Sequence, residues 1–268
     1  MEEAMKIIDL LNESARGVTI DEALEMVAPF LKKNKFAISH EMFLYRGIKN
    51  SIGNEIFVKA TDMDNPRSPK DMPRIVHAIF DKYMEDTFGV KYRSFAKFAT
   101  GNLRDADEYG KPFIFIPIGD YKLCYSHKVK DPYSEVFASF MDLISYIIPN
   151  VYKNDLGEMA NDLNKYSLIT NDDEIYDSLT VAGMTKDFYV RFPRFYNAYN
   201  NSADEDAHHG FDRYIYEVVL PSFKLKETED LGEAAQSMNE VMIDCKSYVM
   251  IAATHSNSKK LVDFVRAL

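Results

Sequence analysis

The stretch "KPFIFIPIGDYKLCYS", Lys111–Ser126, is the part of this 268-residue chain that most constrains its fold. Its aromatic and β-branched residues are typical of strands. Gly119 and Asp120 interrupt the stretch, so we predict two strands joined as a hairpin at that point. Since 46% of the residues are apolar, the chain can bury a sizeable core beneath such strands.

Helices are expected before the first strands. Residues 1–38 predict two helices, because apolar residues recur at helical spacing and "TIDE", Thr19 to Glu22, has the capping-box pattern. The short aromatic segments "EMFLYRG" and "NEIFVKAT" predict strands on either side of a turn at residues 51–54. A helix then follows the proline-rich loop "NPRSPKDMP" and stops at Gly89.

Strands and helices alternate in blocks along the rest of the chain. We predict a strand at "SFAKFATG", one short helix in "NLRDADEYG", and a long helical zone over residues 134–182. Strand character returns in "RYIYEVVLPSF", "NEVMID" and "SYVMIA", before a closing helix from Ser258. This order indicates an α+β fold, which we interpret as a single domain over residues 1–268 with a largely helical insertion at 128–239.

Charge and cysteine content narrow the function. The formal net charge of -10 argues against a general nucleic-acid or anionic-membrane binder, although a local basic cleft remains compatible with it. Two cysteines, Cys124 and Cys245, are too few for a disulfide framework or a thiolate cluster, which favours a reducing cytoplasm. No apolar run approaches the ~20 residues that span a bilayer, and the acidic N-terminus is unlike a signal peptide. We therefore expect a soluble cytoplasmic protein.

Several common site motifs are absent. The sequence contains no G-x-G-x-x-G, Walker A loop, H-E-x-x-H, C-x-x-C or G-x-S-x-G. "TDMDNP" begins like a calcium loop, but Pro66 stands where the sharp turn requires glycine. The cluster "DEDAHHG" offers Asp206, His208 and His209 as metal ligands, although a solvated loop is the better interpretation because adjacent histidines seldom converge on one ion. We expect no metal.

Three stretches occur in a suggestive order: "LYRG" at residues 44–47, "FATGNLRDADEYG" at 98–110, and "NEVMID" at 239–244. Together they resemble the motifs of the ADP-ribosyltransferase superfamily of the Arg-Ser/Thr-Glu type. The resemblance implies a core of two packed β-sheets with N-terminal helices, and a mono-ADP-ribosyltransferase that uses NAD as its substrate. A fainter resemblance, in "NPRSPKDMP" and "FATG", is to uncharacterised proteins of tailed bacteriophages, whose site of action would be the host cytoplasm.

The resemblance also implies roles for individual residues. Glu240 would be the catalytic carboxylate that stabilises the positive charge developing on the ribose. Arg46 would contact phosphate or ribose oxygens, since a guanidinium is a permanently charged, planar donor. Gly47 would leave room for the nicotinamide amide, Thr100 would steady Arg46 or Glu240, and Tyr109 would stack on the nicotinamide. Two arginines, Arg93 and Arg67, are further candidates for phosphate contact.

Other interpretations of these residues stay open. Arg46 could be a strand-end arginine in a surface ion pair, Thr100 an ordinary strand residue, Tyr109 a core or rim aromatic and Glu240 a surface charge. Members that modify arginine usually carry an acid two positions before the glutamate, where this chain has Met238. The acceptor is therefore open: it could be water, a protein, a nucleic acid or a small molecule.

The alternative function is a non-catalytic interaction protein on a similar scaffold, for example a phage protein that inhibits a host or defence protein. Such a protein would act through an acidic or aromatic surface. The segment "DFYVRFPRFYNAYNN" interleaves aromatic and basic residues in a pattern found on recognition surfaces, although aromatics at this density more often face a core.

Overall fold

The computed structural model describes residues 16–49, 55–67, 74–132, 134–136, 138 and 215–268. The chain divides into two compact units. The first comprises Met1–Arg67, Val90–Lys130 and Leu225–Leu268, and the second comprises Ser68–Gly89 and Asp131–Lys224. The second unit overlaps the predicted insertion at 128–239 and also includes the helix before Gly89.

The described elements mix helices and strands, which confirms the predicted α+β class. The strands are β1 (Arg16–Gly17), β2 (Tyr45–Ile48), β3 (Ile56–Ala60), β4 (Lys97–Thr100), β5 (Lys111–Ser126), β6 (Leu225–Thr228) and β7 (Glu240–Ala252). The helices are α1 (Ile20–Lys33), α2 (Lys35–Ser39), α3 (Arg74–Phe88), α4 (Tyr92–Phe95), α5 (Leu103–Glu108), α6 (Leu220–Ser222), α7 (Leu231–Gln236) and α8 (His255–Ala267), with a π-helix at Ile215–Val219.

All seven described strands belong to one antiparallel sheet in the first unit. Its order is β1-β3-β7-β4-β2-β5-β6, and β5 also pairs with β7. The hydrogen-bonded circuit β7-β4-β2-β5 therefore closes on itself. We expected two packed sheets, and that expectation was wrong for the described strands. The long strands β5 and β7 pair over most of their length and take different outer neighbours at their two ends, which joins the two halves into one sheet.

The predicted hairpin at Gly119 was also wrong. Lys111–Ser126 is one continuous strand with a bulge, where the register to β7 shifts between Ile118 and Tyr121. Gly119 takes φ +76°, which supplies the irregular residue that a bulge needs. Similarly, "NEVMID" from its second residue, Glu240, and "SYVMIA" are parts of the single strand β7 rather than two strands.

Local signals gave mixed results elsewhere. The capping box is present: the Glu22 N–H donates to the Thr19 hydroxyl, and the Thr19 N–H donates to the Glu22 carboxylate at 2.8 Å. The predicted stop at Gly89 is confirmed, and this residue has φ +78°. The strand predicted in "RYIYEVVLPSF" was wrong, because Ile215–Val219 is a π-helix. The predicted turn at residues 51–54 and most of the helical zone lie outside the described residues.

One hydrophobic core lies in the first unit, where α1, α2 and α8 cover the sheet. Its buried side chains include Leu24, Val27, Leu31, Phe113, Phe115, Val249, Ile251 and Leu261. The central strands β5 and β7 contribute many residues to this core, and β7 carries Glu240 at its first residue. Among the described helices, none is long and apolar enough to cross a membrane.

Candidate functional site

The three motif strands are neighbours in the sheet. Tyr45 of β2 pairs with Thr100 of β4, and Thr100 pairs with Glu240 of β7. Arg46 follows Tyr45 directly, so residues more than fifty positions apart meet at one end of these strands. The structure thus brings Arg46, Thr100 and Glu240 into one region of the first unit.

Arg46 fills the place where β2 and β4 diverge. The two strands share only the Tyr45–Thr100 pair, and the Arg46 Nη1 donates a hydrogen bond of 3.0 Å to the Phe98 carbonyl. The Arg46 guanidinium therefore supplies a hydrogen-bond donor to β4 at a point where β2 forms no further strand pair with it. Burial lowers the pKa of Arg46, an effect that nearby Tyr248 and Glu240 partly oppose. This partly buried position explains how an arginine is accommodated in an apolar strand.

Glu240 is held by Arg93, which stands on the short helix α4. The Arg93 Nη1 lies 2.9 Å from the Glu240 Oε1. Only 9% of the Arg93 side chain and 23% of the Glu240 side chain are exposed. The Glu240 N–H also donates to the Lys130 carbonyl at 2.8 Å, which holds the start of β7. The glutamate is thus fixed by both its side chain and its backbone.

Two guanidiniums lie against the ring of Phe98. The Arg67 Cζ is 4.3 Å from the ring centroid and the Arg93 Cζ is 4.4 Å from it, both within cation–π range. Arg67 is held at its backbone, where its N–H donates to the Ser94 carbonyl at 2.9 Å. Although the residue as a whole is exposed, its guanidinium is partly shielded from water, and this desolvation together with Arg93 and Arg46 lowers the pKa of Arg67.

Lys97 adds a fourth cation. It precedes Phe98 on β4 and is half-buried. Burial lowers the pKa of Lys97, and the charges of Arg46 and Arg67 lower it further. We name the group of Arg46, Arg67, Arg93 and Lys97 the cation cluster. Sequence reasoning missed Lys97, whose only signal is its position beside Phe98 on the strand that carries Thr100.

Thr100 does not contact Arg46 or Glu240 through its hydroxyl. The hydroxyl donates to the Met238 carbonyl at 3.2 Å and accepts from the Asn102 N–H at 3.1 Å. It therefore links the end of β4 to the turn before β7 and caps the turn into α5. Met238 has φ +58°, a left-handed conformation that is uncommon for a residue with a side chain.

Gly47 and Tyr109 have structural surroundings that differ from those the resemblance implied. A Cβ on Gly47 would lie 2.0 Å from the Ala106 carbonyl oxygen and 2.9 Å from the backbone of Tyr109. The backbone at α5 and the residue after it occupies the space beside Gly47, so close helix packing is the physical reason for glycine there. Tyr109 follows α5 and is 64% exposed, which makes it a rim aromatic in this structure.

A groove in the first unit lies away from these residues. It has a volume of about 740 Å³ and lies between α1, the bulge of β5 and the middle of β7. Lining residues include Met26, Phe30, Met63, Tyr121 and Cys245, and none belongs to the cation cluster. Size alone would favour this groove, but the cation cluster is the place where charge and the three motif strands converge.

Metal binding finds no support in the part of the chain that is described. No group of three or more histidine, cysteine, aspartate or glutamate residues there could hold an ion. The predicted ligands Asp206, His208 and His209, and the aromatic segment "DFYVRFPRFYNAYNN", lie outside the described residues.

Comparison of the chain with models of protein families, with curated proteins and with solved structures finds no match.

Proposed function

We propose that the protein is a mono-ADP-ribosyltransferase that cleaves NAD at the nicotinamide-ribose bond and transfers ADP-ribose to a protein or another acceptor. One observation supports this proposal: Arg46, Thr100 and Glu240 come from three neighbouring strands and lie in one region of the first unit. The order of these residues along the chain matches the order of the motifs in the ADP-ribosyltransferase superfamily, which the sequence resembles.

The proposed reaction assigns separate tasks to the residues. The bond between the ribose C1′ and the nicotinamide nitrogen breaks, and its electron pair leaves with the nicotinamide. The acceptor then donates a lone pair to C1′ and loses its proton. Glu240 would stabilise the positive ribose in the transition state, because an anion close to a developing cation is most effective where water is excluded. Arg46 would bind the phosphate or ribose oxygens of NAD.

A second candidate function has its own support. Glu240 already forms an ion pair with Arg93 at 2.9 Å, so its charge is largely compensated in this structure. A carboxylate in that state is a weaker stabiliser of a cationic ribose. This favours the alternative of a non-catalytic binding protein, in which the cation cluster contacts an anionic ligand or partner and Glu240 serves to position Arg93.

NAD turnover separates the two functions. Purified protein is incubated with labelled NAD, with and without cell lysate, and released nicotinamide and transferred label are followed. We expect release by the wild type, a loss of at least a hundredfold in Glu240→Gln, and no change in Glu25→Gln, an exposed glutamate on α1. If the wild type released no nicotinamide, or if Glu240→Gln released as much as the wild type, the proposed enzymatic activity would be contradicted. Binding of NAD without release would support the alternative.

We also propose a cytoplasmic location, because both cysteines are free thiols and proteins without disulfides are typical of a reducing compartment. If the chain is encoded by a phage, this is the cytoplasm of the host. The acceptor would then be a host macromolecule, and label transfer to lysate proteins in the same assay tests that point.

A further inference from the structure

The groove between α1, the bulge of β5 and the middle of β7 has no part in the proposed reaction. Its volume of about 740 Å³ lies within the range of sites that bind small organic molecules, roughly 300–1,000 Å³. The described residues that line it all belong to the first unit. We propose that this groove binds an uncharged, mainly apolar small molecule that carries a hydroxyl or amide group.

Apolar side chains form the opposite walls of the groove. Met26 and Phe30 line it from α1, and Ile118 and Tyr121 line it from β5. The rings of Phe30 and Tyr121 meet edge to face, with 5.0 Å between their centroids. Met63, which follows β3, is 46% exposed and also lines the groove. An apolar body between these walls would be removed from water, and the flexible methionines can adapt to its shape.

The charges around the groove indicate that the ligand is uncharged. Two of its lysines are already in ion pairs, Lys33 with Glu229 and Lys122 with Glu227, the latter at 2.6 Å. A charged ligand would lose its hydration and would meet like charges as well as opposite ones. An uncharged ligand avoids both costs. The ionisable lining residues are three lysines and three acids, whose formal charges cancel: Lys33, Lys122, Lys246, Asp120, Glu229 and Asp244.

Backbone groups at the groove can bind the polar group of the ligand. At the bulge, Gly119 and Asp120 of β5 oppose the single residue Lys246 of β7, and the extra residue of a bulge is left unpaired in the ladder. A Cβ on Gly119 would meet no atom within 4 Å, so there is open space beside this backbone. On the facing wall, Pro29 lies inside α1 and has no N–H to donate to the Glu25 carbonyl. A hydroxyl or an amide can both donate to and accept from such groups.

Three probes with one ring system test the preference for an uncharged ligand. Naphthylethanol is neutral, naphthylethylamine is a cation at neutral pH and naphthylacetate is an anion, and each is titrated calorimetrically into the full-length chain. The groove variants are Met26→Gln and Met63→Gln. Met238→Gln is the matched control, because Met238 is 54% exposed and is not among the residues that line the groove. A urea unfolding curve verifies that each variant is folded.

We expect naphthylethanol to bind about tenfold more tightly than either charged probe, because the charged probes must lose their hydration. Each groove variant should weaken this binding by about fivefold, since an amide replaces an apolar contact. The control should match the wild type. Met63 is largely outside the core, so Met63→Gln decides the outcome even if Met26→Gln does not fold.

Three results would overturn the inference. The first is that naphthylethanol does not bind at millimolar concentration. The second is that either charged probe binds as tightly as the alcohol, which would mean that charge, and not the apolar wall, selects the ligand. The third is an equal loss in Met63→Gln and Met238→Gln, which would mean non-specific binding to apolar surface.

The groove and the proposed enzymatic activity can be tested separately. Since the groove shares no residue with the cation cluster, Met63→Gln should release nicotinamide from NAD at the rate of the wild type. Binding of naphthylethanol by a protein that does not cleave NAD would keep the groove and remove the activity. Cleavage of NAD by a protein that does not bind naphthylethanol would do the reverse.

Discussion

Arg93 and Glu240, which are 147 residues apart in the chain, form an ion pair of 2.9 Å between Nη1 and Oε1. Arg93 lies on a single turn of helix, and Glu240 is the first residue of β7. The pair joins α4 to β7, and the ring of Phe98 supports the guanidinium from β4. Structure and proposed chemistry therefore depend on the same contact.

Removing Arg93 should destabilise the protein more than neutralising Glu240. Arg93→Met removes the ion pair of a largely buried carboxylate, and we expect a loss of about 2–4 kcal/mol in the free energy of unfolding. Glu240→Gln should lose less, because its amide oxygen still accepts from the Arg93 N–H. Urea unfolding of both single variants and the double variant gives the coupling energy. A coupling near zero would show that the contact contributes nothing to stability.

Alanine at Gly47 should displace α5. The new Cβ would meet the Ala106 carbonyl oxygen at 2.0 Å, so we expect a loss of about 3 kcal/mol. Gly119→Ala is the matched control, since Gly119 has open space around it and only its φ of +76° is unfavourable, at about 1 kcal/mol. Thermal or urea unfolding measures both. A loss at Gly47 no larger than that at Gly119 would contradict the steric contact between Gly47 and α5.

We expect the Thr100 hydroxyl to stabilise the protein through its hydrogen bonds to two backbone groups. Thr100→Val removes the acceptor of the Asn102 N–H and the donor to the Met238 carbonyl, at a cost of about 1 kcal/mol. Thr100→Ser keeps both hydrogen bonds and should restore most of the stability. NAD affinity measured on the same variants completes the test. If Thr100→Val changed NAD affinity without changing stability, the hydroxyl would contact the ligand instead.

Both cysteines should be unreactive while the protein is folded. Burial raises the pKa of Cys245 to about 12 and raises that of Cys124 as well. We expect no reaction with a thiol reagent at pH 8, and reaction of both thiols after unfolding in urea. Rapid reaction of either thiol in the folded protein would contradict the buried positions.

The raised pKa of Cys245 predicts that the stability of the protein depends on pH. Because the thiol of Cys245 ionises less readily in the folded chain, its contribution to stability is complete below the ordinary pKa near 9. This contribution is lost as the pH rises from there toward about 12. Cys245→Ala should therefore lose stability more slowly than the wild type over this alkaline range, as measured by unfolding curves at several pH values. If the wild type and Cys245→Ala lost stability equally over this range, the raised pKa of Cys245 would be contradicted.

Sequence signals for the ends of helices were correct. The capping box of Thr19 and Glu22 and the helix stop at Gly89 involve residues within one helical turn, so no distant partner decides them. The sequence also predicted that Arg46 and Glu240 belong to one site, because their motifs follow a recognisable order. In the structure Thr100 pairs with Tyr45, the residue before Arg46, and with Glu240, and a shared site stays a prediction.

Predictions failed where the local structure depends on which distant strand or side chain becomes the neighbour. Gly119 is equally suited to a hairpin and to a bulge, and only the pairing of β5 with β7 on both sides of it selects the bulge. The apolar run at Ile215–Val219 is compatible with a strand or a buried helix, and the structure selects a π-helix. Lys97 was missed, because Arg46 and Arg67, whose charges lower its pKa, are distant from it in the chain.

By itself, the sequence determined the α+β composition, the ends of individual helices and the residue types available to a site, since these depend on spacing and on short-range contacts. Only the tertiary structure decided that β5 and β7 join the strands into one sheet, that Arg93 pairs with Glu240, and that α5 packs against Gly47. The physical reason is that hydrogen-bond partners, close packing and charge interactions are set by distances in space, and residues far apart in the chain become neighbours only when the sheet forms.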